Sequence, residues 1–316
     1  MPYSSSGSYR SATLADATYR VARELGAVTE GVSTGGATTS VIDTRILALT
    51  AANFYNNGMA WVLRDSAEAA GAPENEFGEI SADDGAGTLT IRSVSAGSGD
   101  PFTAATAAGD RYAVTTSKYP PHQLIAAVNT VLGEVGEVLV SDIASVTTAS
   151  SQTEHSLPIA ANMDLREVYF QGRTGDTNDY RWERLEGWTI RRTAIGTADL
   201  LMLPFQYVTG RLLRLDYIQE HPELDDASDK ISESIHLNSL VTEAAFRMLE
   251  WRDAGQANDP NIERQMRRYT APGADGLSKL ERARAKHQIY APPRQSKLLT
   301  LGRRIKVDQF TYPGPV

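Results

Sequence analysis

The feature of this sequence that most constrains its fold is a change in hydrophobic period along the chain. Residues 13–25 carry apolar side chains at helical spacing, with Leu14, Val21 and Leu25 on one stripe and Gly26 as a stop signal. Residues 31–116 are instead rich in Gly, Thr, Ala and Ser. Short apolar runs at 39–42, 59–63, 87–91 and 111–114 are predicted to be strands, and turn-forming residues separate them, notably at 56–58 (NNG) and 83–85 (DDG). Because helical stripes and short strand-like runs occupy separate segments, an α+β fold is predicted, with a small barrel or sandwich in this stretch.

The same alternation continues toward the C-terminus. A helix led by Pro120-Pro121 is predicted first, then a second β-rich segment, in which Trp182 and Trp188 bracket a predicted hairpin. The clearest helical stripe follows, from Leu237 to Leu249. The predicted segments are 1–30 (lead and first helix), 31–118 (β-rich module), 119–142 (helix), 143–220 (second β-rich segment), 221–290 (helical region) and 291–316 (extended C-terminal arm).

The C-terminal arm is predicted to be extended because Pro292-Pro293 stiffens its start and two short runs after it have strand character. Such an arm cannot bury its apolar residues alone. It either folds back on its own sheet or adds a strand to a neighbouring subunit by β-augmentation. Both interpretations remain open from the sequence.

Charge divides the chain unevenly. From Ile262 onward there are 12 Lys/Arg and 4 Asp/Glu, whereas the preceding residues hold 31 − 12 = 19 Lys/Arg and 39 − 4 = 35 Asp/Glu. An acidic neighbouring subunit is the favoured partner of the basic end and nucleic acid is the alternative, because the region lacks the interleaved aromatic platform used to stack bases. The predicted partner-binding residues of the arm are Arg294, Lys297, Leu299, Leu301, Arg303, Arg304 and Lys306. A second predicted set, facing either a DNA channel or an acidic partner, comprises Arg264, Arg267, Arg268, Arg282, Arg284 and Lys286.

The search for catalytic motifs finds one candidate. Gly31-Val32-Ser33-Thr34-Gly35 matches the G-x-S-x-G form of a hydrolase nucleophile elbow. That elbow requires a strand before the serine and a helix after it, whereas here a helix precedes and a strand follows. A Gly/Ser/Thr linker is therefore the favoured interpretation, and a hydrolase using Ser33 is the remote alternative.

Other residue types narrow the possible functions further. The chain has no cysteine, which excludes disulfides, thiolate metal sites and thiol nucleophiles. Its five histidines are scattered without metal-ligand spacing, and surface or capping roles are expected for them. No run of about 18 apolar residues predicts a membrane span. We therefore expect a non-enzymatic protein without a cofactor or a membrane partner.

The order of the segments, together with several short motifs, resembles a known family. The motifs are 108–112 (AGDRY), 121–129 (PHQLIAAVN), 147–158 (TTASSQTEHSLP) and 215–222 (LDYIQEHP), the last before a long Ala/Leu-rich helix. In this arrangement, which covers most of the chain, the sequence resembles the neck proteins of tailed bacteriophages, the head–tail connector or adaptor family. The β module at 31–116 goes beyond the minimal helical adaptor.

The resemblance implies a helical adaptor-like core and a homo-oligomeric ring, commonly of twelve copies, located in the virion after synthesis in the host cytoplasm. Such a ring lies beneath the portal protein, joins the capsid to the tail proteins, and surrounds the channel for packaged DNA, which it can contact non-specifically. No residue would be catalytic. The alternative is another virion component, such as a tail, baseplate or capsid-decorating protein.

Overall fold

The computed structural model describes residues 12–66, 73–94, 100–149, 152–158, 164–172, 182–193, 198–232, 234–255 and 259–290. Over these ranges the chain forms five α-helices and three antiparallel sheets, which confirms the predicted α+β class. Within these ranges it divides into two compact units, one made of the residues from 12 to Gly136 with Pro222–Tyr290 and the other of Glu137–His221. None of the helices in the described ranges is both long enough and apolar enough to cross a membrane.

The helices of the first unit pack around one central helix. Helix α1 begins after Thr13, whose hydroxyl accepts from the Asp16 amide while the Asp16 carboxylate accepts from the Thr13 amide, a capping box that confirms the predicted start. Helix α3 contacts the four other helices, and it buries residues on most of its circumference. The five helices are α1 (Leu14–Glu24), α2 (Pro121–Val135), α3 (Leu237–Gly255), α4 (Pro260–Thr270) and α5 (Lys279–Tyr290).

The first unit also contains a seven-stranded sheet. Its strands are β1 (Thr29–Val32), β2 (Gly35–Ala37), β3 (Ser40–Ile42), β4 (Met59–Arg64), β5 (Glu76–Asp83), β6 (Thr88–Arg92) and β7 (Arg111–Val114), in the order β1-β7-β4-β5-β6-β3-β2. The outermost strands, β1 and β2, are separated in the chain by two residues only. The sheet is therefore rolled until its two edges meet, around a core that includes Val62, Ile80, Phe102 and Tyr112. The strand runs predicted within 31–116 are confirmed. A hydrogen bond connects this sheet to the helices: Trp61 Nε1 donates to the Thr18 hydroxyl of α1 at 3.2 Å.

The second unit consists of two smaller sheets with a shared apolar core that includes Val168, Leu201 and Leu213. One sheet has the order β11-β10-β14-β8 and the other has the order β12-β13-β9. The strands are β8 (Glu137–Thr147), β9 (Glu154–Ser156), β10 (Leu165–Gln171), β11 (Trp182–Arg184), β12 (Thr189–Arg191), β13 (Leu200–Met202) and β14 (Leu212–Glu220).

Two sequence predictions are wrong in this region. The helix predicted over 119–142 ends at Val135, because Gly136 adopts a positive φ of 82° and the chain continues as β8. The predicted hairpin around residues 185–187 does not form. Strand β11 pairs with β10 while β12 pairs with β13, so the segments beginning at Trp182 and Thr189 belong to different sheets.

Candidate interaction surface

Helix α4 presents basic side chains on the face opposite its buried one. Asp259 caps the helix by accepting from the Asn261 amide, and Pro260 occupies the first turn, where no amide donor is needed. Ile262 and Tyr269, seven residues apart, are buried on one side. Arg264, Arg267 and Arg268 follow the exposed stripe on the other side.

Helix α5 is oriented by its own cap. The Ser278 amide donates to Glu281 Oε2 at 2.7 Å and the Glu281 amide donates to the Ser278 hydroxyl at 3.1 Å. The first of these bonds holds the pKa of Glu281 below its ordinary value. Leu280 and Ala283 are buried, which leaves Arg282, Arg284 and Lys286 exposed. Together with the three arginines of α4, these three residues form what we call the basic helical face.

Three cations of the basic helical face are held by ion pairs within the chain. Arg267 pairs with Glu263 one turn earlier at 2.6 Å. Arg282 donates to the Leu277 carbonyl at 3.0 Å and lies 3.4 Å from the Asp275 carboxylate. Arg284 lies 3.5 Å from the buried carboxylate of Glu243 on α3, so it contributes to the attachment of α5 to α3.

The other three cations, Arg264, Arg268 and Lys286, are exposed and have no ion pair within the described ranges. A charged group without an internal carboxylate partner keeps its full attraction for an external anion. The predicted six-residue set therefore divides into three cations that stabilise the helices and three that remain available to a partner.

Contacts with α1 and α3 hold the basic helical face in place. The hydroxyl of Tyr269 donates to Glu24 of α1 at 3.2 Å, and the ammonium group of Lys279 pairs with the same carboxylate. The Lys279 nitrogen lies 5.0 Å from the centre of the Tyr269 ring, which also packs against Phe246 of α3 at 6.0 Å. Burial raises the pKa of Tyr269, so this hydroxyl remains a donor at physiological pH. These contacts tie α4 and α5 to α1 and α3.

The strand β8 provides a second exposed feature, which sequence reasoning missed. With 11 residues it is the longest strand described, and over the described ranges it pairs only with β14, so its other edge has no neighbouring strand. We call this the free edge of β8. Leu139 and Ile143 point outward with 39% and 45% of their surface exposed, while Val138 and Val146 are buried on the inner face. The sequence feature that indicates this strand is the frequency of β-branched residues after Gly136. It was overlooked because the helix was predicted to continue to residue 142.

Ser33 is buried rather than presented on an elbow. It lies between β1 and β2, so strands rather than a strand and a helix flank it. Its hydroxyl lies 2.5 Å from the Gly35 carbonyl and 3.0 Å from the Ile42 carbonyl, and it accepts from the Gly35 amide at 3.0 Å. The Ser33 amide donates to the Asp110 carbonyl at 2.8 Å. Ser33 therefore joins the two edges of the rolled sheet.

Of the described histidines, His122 is exposed, His236 caps a helix, and His155 and His221 are buried. His236 Nδ1 accepts from the Ser239 amide at 3.3 Å at the start of α3, as expected for a capping residue. His155 is instead buried in β9 and its Nε2 has no hydrogen-bond partner in the described ranges, which contradicts the expected surface or capping role. Burial lowers the pKa of His155. Within the described ranges, no three acidic or histidine side chains lie close enough together to hold a metal ion.

The predicted partner-binding residues of the C-terminal arm, from Arg294 to Lys306, lie outside the described residues. Within the described ranges, the basic helical face and the free edge of β8 are two surfaces suited to binding a partner. No protein-family model matches the chain, and neither a curated protein nor a solved structure was found to be similar to it.

Proposed function

We propose that this chain is a structural protein of a tailed-bacteriophage virion, which forms a ring at the neck between the portal and the tail. The observation that carries the proposal is the basic helical face, with Arg264, Arg268 and Lys286 open to a partner on a chain whose net charge is −8. Copies that close into a ring, or dock on a ring, need a fixed and complementary surface on each subunit. In this proposal α1 to α5 are the adaptor-like core, and the rolled sheet elaborates it.

The rigidity of the helices supports this role. Arg284 with Glu243, and Tyr269 with Glu24, fix α5 and α4 to the rest of the helical group through contacts of 3.5 Å and 3.2 Å. The three open cations are therefore held in place before a partner binds. Such preorganisation lowers the entropy that is lost on binding.

The partner that this face fits best is an acidic protein surface, such as that of the portal or of an adjacent tail protein. Glu263, Asp275 and Glu281 are interspersed among the cations, so the face alternates in sign rather than forming a continuous basic stripe. A track along the DNA backbone needs many unopposed cations, because each phosphate contact adds to the affinity and to its salt dependence. DNA in the channel is accordingly a weak, non-specific contact in this proposal.

The proposal is tested by removing the three open charges together, as Arg264→Gln, Arg268→Gln and Lys286→Gln, and locating the protein in assembled particles by electron microscopy. We expect unmodified protein at the neck and loss of the variant from the particle. The matched control is Arg20→Gln, Lys118→Gln and Lys230→Gln, which removes the same charge from exposed positions of the first unit. The control should be incorporated normally.

Three results would contradict the proposal. Normal incorporation of the Arg264, Arg268 and Lys286 variant would show that the basic helical face is not needed for assembly into the particle. A position on the capsid lattice or the tail tip would favour a different virion component. A steep salt dependence of DNA binding by the purified chain, lost in the same variant, would identify DNA rather than acidic protein as the partner.

A further inference from the structure

We propose that the free edge of β8 binds residues 303–308 of the C-terminal arm of a neighbouring copy as an added antiparallel or parallel strand. The inference rests on the proposed function, because it requires copies of the chain to meet. It assigns a contact between copies to two segments that the neck proposal leaves without a role.

The free edge of β8 has the properties of an acceptor strand. Proteins usually protect exposed edges by making them short or by placing lysine or proline on them. Strand β8 has 11 residues and the sequence EVLVSDIASVT, with no lysine, arginine, proline or glycine. An irregularity in the pairing with β14 follows Asp142, so Glu137–Asp142 is the regular part, paired in continuous register with residues from Glu220 back to Leu215. This six-residue stretch is the part of the edge best shaped to pair with another strand.

The arm matches this edge in pattern. Arg304-Ile305-Lys306-Val307 alternates polar and apolar residues, as expected of a strand that has one face buried. Added beside β8, Ile305 and Val307 would extend the inner face that carries Val138. Arg304 and Lys306 would then lie on the outer face with Glu137 and Leu139.

The arm also matches the edge in charge and in reach. Residues 291–316 contain five Lys/Arg and one Asp, a net charge of +4, and the outer face of the acceptor stretch, where Arg304 and Lys306 would lie, carries the carboxylate of Glu137. The described chain ends at Tyr290, and the 13 residue steps from there to Arg303 span about 45 Å when fully extended. An arm of that length can leave its own subunit and pair with a copy packed beside it.

A strand passed from each copy to the next is a heterologous contact, since donor and acceptor are different surfaces. Contacts of this kind generate closed rings when the rotation between copies closes. Exchange between copies therefore gives the arm a function in ring formation, whereas pairing within one copy would leave the ring without this contact.

Cysteine cross-linking of the full-length chain tests the pairing directly, because the native sequence contains no cysteine. One preparation carries Leu139→Cys, or separately Ser141→Cys. A second preparation, distinguishable by a mass tag, carries one cysteine at a time across residues 297–308. Paired strands bring Cα atoms within about 4.5–5.5 Å, which is within the range for a disulfide. After mild oxidation of the mixture we expect mixed disulfides at Arg304→Cys and Lys306→Cys and few at Ile305→Cys and Val307→Cys.

A second measurement tests the energetic role of the edge. By sedimentation, Leu139→Lys should weaken self-association about tenfold, because it places a positive charge beside a basic arm and protects the edge. Leu49→Lys is the matched control. It makes the same change at a leucine that is 83% exposed at the end of a short 3-10 helix between β3 and β4, and it should leave association unchanged.

Several outcomes would overturn the inference. These are disulfides that form only within single copies, cross-linking without a two-residue period, cross-links confined to residues 297–301, or equal effects of the two lysine substitutions. A chain that stays monomeric and forms no mixed disulfide would also overturn it. None of these results bears on the neck position, which is tested separately in particles through the charges of α4 and α5.

Discussion

The hydrogen bond between Tyr112 and Asp43 provides a quantitative test of how the rolled sheet is stabilised. The Tyr112 hydroxyl donates to Asp43 Oδ2 at 2.8 Å, and both residues are almost completely buried. Burial, followed by the bond to Asp43, raises the pKa of Tyr112, so the phenol stays protonated. The other carboxylate oxygen accepts from the backbone amides of Arg45 and Ile46. Tyr112→Phe therefore removes one partner of a buried charge while leaving the aromatic packing intact.

The expected cost of Tyr112→Phe is about 2 kcal/mol, the usual range for a hydrogen bond to a buried charged group. In a unit of this size, about 2 kcal/mol lowers the melting temperature by roughly 4–8 °C. The control is Tyr19→Phe. It removes a hydroxyl that donates to Glu30 at 2.7 Å at the surface, where such bonds contribute about 0.5 kcal/mol or less.

Differential scanning calorimetry of the full chain would measure both variants. The transition of the first unit would be assigned by near-ultraviolet circular dichroism, to which the buried Trp61 contributes. Equal, small shifts for Tyr112→Phe and Tyr19→Phe would refute the reasoning. They would mean that Asp43 is solvated in solution and that the closed rolled sheet does not exclude water from this pair.

Three further predictions follow from local geometry. Ser33→Ala should lower the free energy of unfolding by about 1–2 kcal/mol in urea titration, because it removes the hydroxyl's bonds to the Ile42 carbonyl and the Gly35 amide while it keeps the backbone bond to Asp110, and an unchanged midpoint would contradict this role. Gly58→Ala should be strongly destabilising because its methyl group would overlap the Thr115 carbonyl oxygen, whereas Gly133→Ala, with open space around it in α2, should stabilise by about 0.5–1 kcal/mol. Because burial lowers the pKa of His155, the folded state binds its proton less readily than the unfolded state, so stability is lost as pH falls below about 6.5. His155→Leu should reduce that loss between pH 7 and pH 5 in urea titrations, and an identical pH profile would show that the imidazole is solvated.

The parts of the fold that were predicted correctly depend on local signals. The start of α1 was predictable because Thr13, Asp16 and the apolar stripe lie within one short window. The turn at Asp83-Asp84-Gly85 was predictable for a similar reason: the Asp84 carboxylate accepts from the Ala86 and Thr88 amides, and Gly85 adopts a φ of 67°.

The parts that were missed depend on contacts between distant residues. Glu137–Thr147 has apolar residues that fit a helical stripe as well as a strand, and the decisive factor was its pairing with β14, some 75 residues later. The six basic residues of α4 and α5 look equivalent in the sequence. Arg284 differs from Lys286 only because Glu243, 41 residues earlier, is buried beside it. Likewise, the side-chain amide of Asn129 donates to the Leu224 carbonyl and accepts from the Leu224 amide. These residues are 95 positions apart, and no local pattern indicates the contact.

The pairing of Glu137 with Glu220 has a consequence for how the chain can be divided. These residues begin β8 and end β14, and they are direct cross-strand partners. The chain therefore enters and leaves the second unit at neighbouring points. Cα atoms of such partners are about 5 Å apart, a gap that two or three glycines can bridge. Residues 137–220 can accordingly be excised as one cassette, which leaves the helices and the rolled sheet as a continuous shorter protein. During synthesis, however, the two parts are not independent. Helices α1 and α2 leave the ribosome before residues 137–220, whereas α3, their principal packing partner, is made only after those residues.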